Sequence, residues 1–174
     1  MSTIKTNAIQ TTAGKPILNS TGSILQVVQT TKTDTFSTTS TSYVDITGMS
    51  ASITPTSSSN KVLVICRFTH GRSTTSTGIH FKITRGGTAI FIGDALGSRD
   101  RAATGSHYLD YYSQIGETIT FLDSPATTAS TTYTLQGTAA GGSITIYVNR
   151  SGYDADRIYD ARTASSIILM EVSA

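Results

Sequence analysis

The chain of 174 residues has no tryptophan, one cysteine, three prolines and two glutamates, and 14% of its residues are charged. Each scarcity excludes something. A lone cysteine makes no intrachain disulfide, and Cys66 sits in the apolar run VLVICRF, where a buried, inert thiol is the expected state. Thirteen Lys and Arg against eleven Asp and Glu leave a net charge of +2, with no basic run longer than two residues. Nucleic-acid binding is disfavoured on that ground, because affinity for phosphate backbones grows with the number of neutralising cations. The longest apolar runs, Val62 to Cys66 and Ile167 to Met170, fall far short of the roughly 20 residues of a membrane helix, so no membrane insertion is expected. The opening MSTIKTNAIQ lacks the apolar core of a secretory signal, and Sec export is not expected.

What the chain does have is Ser and Thr, together roughly a third of it. Disorder would require few β-branched residues and a high net charge, and neither condition holds. Thr is β-branched and suits a pleated, half-buried surface, so the composition reads as a β-protein with an uncharged polar exterior.

The hydrophobic period is 2 almost throughout. Ser23 to Thr31, Tyr43 to Ile46, Met49 to Thr54, Lys61 to Thr69, Gly78 to Arg85, Thr88 to Gly93, His107 to Ser113, Glu117 to Leu122, Thr131 to Gly137, Ser143 to Val148 and Ser165 to Val172 each read as a strand. Turn signals separate them, among them Thr54 to Asn60, Arg85-Gly86-Gly87, Asp123-Ser124-Pro125 and Ala140-Gly141-Gly142. Lys61 to Phe68 is apolar on both faces until Arg67, the mark of a central strand. Thr118 to Phe121, Thr132 to Leu135 and Ser143 to Val148 alternate strictly, with one wet face lined largely by Thr and Ser. Ser166 to Val172 is so apolar that it belongs inside a sheet or at a subunit interface, since an exposed edge of that kind aggregates. We place it centrally, with Ile167, Leu169, Met170 and Val172 as candidate interface residues.

About ten antiparallel strands in one domain, residues 23–174, suit an all-β jelly-roll sandwich; an immunoglobulin-like sandwich is the alternative, without its Cys and Trp core signature. Residues 1–22 differ. Ile4, Asn7, Ile9, Pro16, Ile17 and Leu18 are scattered through polar neighbours, too little apolar surface to fold alone. The segment reads as an extended arm, able to reach roughly 70 Å, that gains order by packing on a sister subunit or a scaffold.

Catalytic and metal patterns are sparse. His70, His80 and His107 fall on different strands or strand ends, without a Cys-x-x-Cys or His-x-His pair, so zinc is not expected. Asp154, Asp156 and Asp160 could face a hard cation, but Arg150, Arg157 and Arg162 are interleaved and supply ion pairs instead. Glu117 and Glu171 lie in or beside strands, no Gly-x-Ser-x-Gly elbow occurs, and Arg85-Gly86-Gly87-Thr88 reads as a hairpin turn rather than a phosphate loop. Neither an enzyme nor a bound cofactor is expected. Two stretches, 94–105 and 149–162, concentrate charge and tyrosine, so Arg99, Asp100, Arg101, Tyr153, Asp154, Asp156, Arg157 and Tyr159 are candidate surface-contact residues. Tyr108, Tyr111 and Tyr112 join Tyr153 and Tyr159 as a possible platform for a host-surface glycan.

The opening STIKTNAIQTTAGKPILNSTGSILQVVQT, then Tyr43 to Gly48, Ser52 to Val64, Thr84 to Ile90, Phe121 to Pro125 and the closing SSIILMEV together resemble a family of short virion structural proteins of tailed bacteriophages, especially marine cyanophages. The resemblance spans nearly the whole chain, on turns and strand alternations. It implies a homotrimeric jelly-roll head, similar to the tumour-necrosis-factor and C1q heads, attached to other virion proteins of tail or capsid through its arm. The expected role is thus a virion component of tail-fibre or adhesin type, with capsid decoration as the first alternative and a glycan-binding module as the second. An apolar last strand and a Thr/Ser exterior agree, closed cyclic symmetry being the ordinary way to bury such a strand.

Overall fold

In a computed structural model, residues 21–75, 78–106 and 110–174 are described. Among them are eleven strands: β1 (Ile24–Lys32), β2 (Phe36–Thr38), β3 (Val44–Ile53), β4 (Lys61–Arg72), β5 (Ile79–Arg85), β6 (Thr88–Ile90), β7 (Thr104–Ser106), β8 (Ile115–Asp123), β9 (Thr131–Thr138), β10 (Ile146–Val148) and β11 (Ser165–Val172). All pairings are antiparallel. The long strands of the first sheet run β1-β11-β4-β8; short β10 follows β11 along the same edge of β4, at His70 to Arg72, and β2 pairs with β10. The second sheet runs β3-β9-β5, and β6 and β7 both pair with β5 as two halves of one interrupted edge strand.

That order decides between the two sandwiches. Among the long strands, with β6 and β7 taken together, every connection except the β5–β6 hairpin crosses from one sheet to the other, and the last strand returns beside the first. This is the doubly wound Greek-key pattern of a jelly roll. The fold is an all-β jelly-roll sandwich.

The alternation read from the sequence sets the faces. Val62, Val64, Cys66 and Phe68 of β4 point inward against Phe81 and Ile83 of β5, Tyr133 and Leu135 of β9, Ile46 and Met49 of β3, and Ile167 and Leu169 of β11. Burial pushes the Cys66 thiol up to about 12, so it stays neutral and inert. β11 lies between β1 and β4, within the sheet.

Several boundaries differ from the sequence reading. β3 is continuous through Thr47-Gly48, because Gly48 takes φ +82° and the register against β9 shifts there, absorbing the extra residues as a bulge. Of the expected strand 107–113, residues 107–109 lie outside the described residues and 110–113 form a turn: Ser113 N donates to Asp110 O, and Tyr112 N donates to the Asp110 carboxylate. The Asp side chain offers the backbone a local partner that outweighs the β-propensity of Tyr111 and Tyr112. The expected strand 143–148 contracts to β10, and 88–93 ends at Ile90. β2 and β7, three residues each, were not expected, β7 straddling the end of the stretch 94–105 read as loop.

β4 gives the sandwich two distinguishable ends. At its Lys61 end, Gln26, Glu171, Val62 and Asp123 form one cross-strand row. Glu171 is fully buried, yet its carboxylate accepts from Gln26 Nε2 (2.6 Å), Asn60 Nδ2 (2.6 Å), Thr56 N (2.7 Å) and Thr56 Oγ1 (2.7 Å). Burial alone would raise its pKa; these donors more than reverse that and hold it at about 2. Asp123, in the same row, accepts from Arg85 and from the hydroxyl of buried Tyr133 (2.6 Å). The chain enters the head at this end, where Gly22 N donates to Ser173 O and Ser173 N to Ser23 O. The candidate arm residues Ile4, Asn7, Ile9, Pro16, Ile17 and Leu18 lie outside the described residues.

Glu171→Ala removes the shared acceptor of four donors, one buried and three partly buried, and is expected to cost about 3 kcal/mol, a fall of roughly 6–12 °C in the thermal midpoint. Because its folded pKa of about 2 lies below the ordinary 4.5, the contribution of Glu171 is complete above pH 4.5 and fades as pH falls towards 2. Chemical denaturation from pH 7 to 2 should show that loss in the native chain and a shallower one in Glu171→Gln.

Candidate functional site

Three surfaces could carry function. The first is the outer face of the first sheet. Val27, Met170, Leu63 and Leu122 stand in one row across β1, β11, β4 and β8, and Ile168 and Ile65 stand in the next between Gln29 and Thr120. Val27 is 56% and Leu122 51% exposed. At the Lys61 end, Ile24 and Val172 extend the patch, and Arg67 closes it at the other side. Single exposed apolar residues are ordinary, whereas a contiguous row across a whole sheet marks a surface that associates. The four candidate interface residues of β11 therefore divide: Ile167 and Leu169 are fully buried in the chain's own core, and Met170 and Val172 belong to the outer face with Ile168.

The second surface is the segment 149–162, at the Arg72 end. Asn149 takes φ +65°, which Asn tolerates, and its buried side chain donates to Lys32 O and Asp34 O while accepting from Ser165 Oγ (2.6 Å). Its amide nitrogen is thus a structural donor. Gly71 lets the segment lie flat on β4, since a Cβ there would stand 2.6 Å from Arg150 O. Gly152 is wedged against Arg72 O and the Tyr111 ring, and its N–H donates to Tyr111 O. Asp154 is held by Arg162 (2.6 and 2.7 Å) and Arg150 (3.1 Å), as the interleaved charges implied. Tyr112 and Tyr153 pack with ring centres 4.9 Å apart beside Tyr111. The Arg157 guanidinium lies 5.0 Å over Tyr153 and donates to Tyr159 Oη (2.6 Å), leaving Asp156, Ile158 and Tyr159 exposed. Tyr108 lies outside the described residues.

The third is the excursion between β6 and β7. It folds back over the outer face of the second sheet, where Asp100 sits 2.8 Å from His80 Nδ1 and accepts from Tyr43 Oη at 2.8 Å. Burial alone would raise the Asp100 pKa, but these two partners and the Lys82 charge bring it below the usual carboxylate range. Lys82 lies 3.7 Å over the Tyr43 ring. A cleft of about 380 Å³ opens between His80, Asp94, Leu96, Arg99, Asp100 and Thr104, and Arg101 Nε donates to Gly93 O beside it. Sequence reading missed Tyr43 and His80 here, because β5 and the β2–β3 turn approach the excursion only through the sheet order.

The two loop clusters do not form one patch. Segment 149–162 rests on the outer side of β4 in the first sheet, and the 91–103 excursion on the outer side of β5 in the second. Both lie toward the Arg72 end, away from the point where residue 21 enters. Arg99, Asp100 and Arg101 thus belong to one surface, and Tyr153, Asp154, Asp156, Arg157 and Tyr159 to another.

No protein-family model matches the chain, and no curated protein does. Among solved structures it is similar to "Structure of infectious bursal disease virus Gx strain", at TM-score 0.34 and 18% identity over 87% of this chain and 39% of that one. The chain thus spans well under half of that neighbour's length. The jelly-roll assignment stands on the strand order.

Packing, rather than charge, fixes segment 149–162. Gly152→Ala forces a methyl group into Arg72 O and Tyr111 and is expected to cost about 2–3 kcal/mol, with faster hydrogen exchange across 149–162. Asp154→Ala removes partly exposed ion pairs and is expected to cost at most about 1 kcal/mol.

Proposed function

We propose that this chain is a non-enzymatic structural protein of a virion, acting as a homotrimeric, fibre-like head of a tailed bacteriophage. The carrying observation is the uncovered apolar row Val27, Met170, Leu63 and Leu122 with Ile168 and Ile65 behind it. Sister copies related by a closed rotation axis cover such a face, because an isolated head would leave it in water. The polarity of the head supports an attachment role: the chain enters at the Lys61 end, and the tyrosine- and arginine-bearing loops lie toward the other. Residues 1–22 join the particle, and segments 91–103 and 149–162 face outward to touch the host surface, host glycans being the partner chemistry their tyrosines suit.

Sedimentation equilibrium at micromolar concentration should give three times the mass of one chain. Met170→Asp, which puts a charge in the middle of the row without entering the core, should shift the mass to one chain while circular dichroism retains the β-signature. A stable native monomer sinks the proposal. Copy number per particle separates a fibre head, present in few copies, from a capsid decoration protein present in tens to hundreds.

A further inference from the structure

At the Arg72 end, β4 sends Phe68, His70 and Arg72 in alternation into the space between the sheets. Arg72 is fully buried, and none of its three guanidinium nitrogens has a hydrogen-bond partner. His70 is equally buried, and neither ring nitrogen has a hydrogen-bond partner. Glu117 Oε1 stands 3.8 Å from His70 Nε2, beyond hydrogen-bond reach, and its other oxygen accepts from Thr104 Oγ1. Among the described residues, the His70 ring lies 4.9 Å from Phe81, and Ile146 and Val148 pair beside Arg72 and His70 on β10.

The opposite end of the sandwich shows how this fold treats buried charge. There Glu171 collects four donors, and Asp123 is matched by Arg85 and Tyr133. A buried guanidinium offers five N–H donors and a permanent positive charge, and leaving both uncompensated is among the costliest things an interior can do. Water would accept some of those bonds but leave the charge.

We propose that Arg72 and His70 form a site for a small inorganic anion of the halide class, chloride or bromide, enclosed between the sheets. Its smallness follows from the exclusion of both side chains from solvent. Chloride or bromide needs no oxygen geometry and loses less hydration than fluoride, phosphate or sulfate. Arg72 supplies the charge and most of the donors, and His70 supplies one more from its ring N–H. Burial and the Arg72 charge push His70 down to about 4, so a bound anion should raise it.

The test follows thermal unfolding of the full chain at fixed ionic strength while chloride or bromide replaces fluoride. General salt effects make fluoride the more stabilising ion, so without a site the exchange lowers the midpoint. With the site, raising chloride from about 10 to 500 mM should lift it by about 5 °C, as expected for an anion that binds the folded state alone. Arg72→Met should lose that rise; if it does not fold, His70→Asn provides the second variant, with a smaller rise expected. Anomalous diffraction from a bromide-soaked crystal should place a peak within hydrogen-bonding reach of the Arg72 guanidinium. No peak there, or a midpoint that falls with chloride in the native chain, overturns the proposal. A peak without the chloride-dependent rise means an adventitious ion only, and overturns it as well.

Discussion

Burying β4 on both edges and along most of both faces is the constraint from which the rest of the sandwich follows. Twelve residues long, it takes β8 on one edge, and β11 followed by β10 on the other. Its inward side chains need an opposing sheet, and its outward Leu63 and Ile65 stand half-buried beside Met170 and Ile168. A strand this apolar could not sit at an edge without recruiting other chains through its backbone. Placing it centrally fixes β11 beside it, and β1 beside β11. Among the long strands, every connection except the β5–β6 hairpin then crosses between the sheets.

The Ser-rich turn before β4, the first strand and the closing strand meet physically at the Lys61 end. Thr56 and Asn60 come from the Ser-rich turn before β4, Gln26 from β1 and Glu171 from the last strand, and all converge on one carboxylate. Positions separated by more than a hundred residues are thereby tied into a single hydrogen-bonded set. The motif is therefore architectural: it closes the end of the head from which the N-terminal segment departs.

Period-2 patterning made most of this architecture readable, since a strand with one buried face must alternate, and the bounds of β11 were legible to the residue. Elements of three residues, β2 and β7, leave too short a pattern to see. Tyr111 and Tyr112 look like strand residues until Asp110 captures their backbone. The candidate loops were recognisable by composition, but their separation onto two faces depends on sheet order, which no local stretch encodes. The least legible residue is Arg72. It stands at the end of an apolar strand between Gly71 and Ser73, and its burial depends on β10, paired beside it through Ile146, and on the opposing sheet.

The interrupted edge strand formed by β6 and β7 has a consequence for how this surface can vary. Each half is registered on β5 by its own ladder, β6 through Ile83 to Arg85 and β7 through Ile79 to Phe81. The intervening excursion is pinned where it leaves and returns, by Phe91 stacked on Phe121 and by Ala103 N donating to Phe81 O. Its length is therefore decoupled from the sheet's register. Residues can be gained, lost or exchanged between those pins while both ladders keep their partners, and the same bulge of chain shields the sheet edge from a stray strand. The head carries, in effect, an interchangeable panel on a fixed frame, where its outward chemistry can diversify faster than its fold.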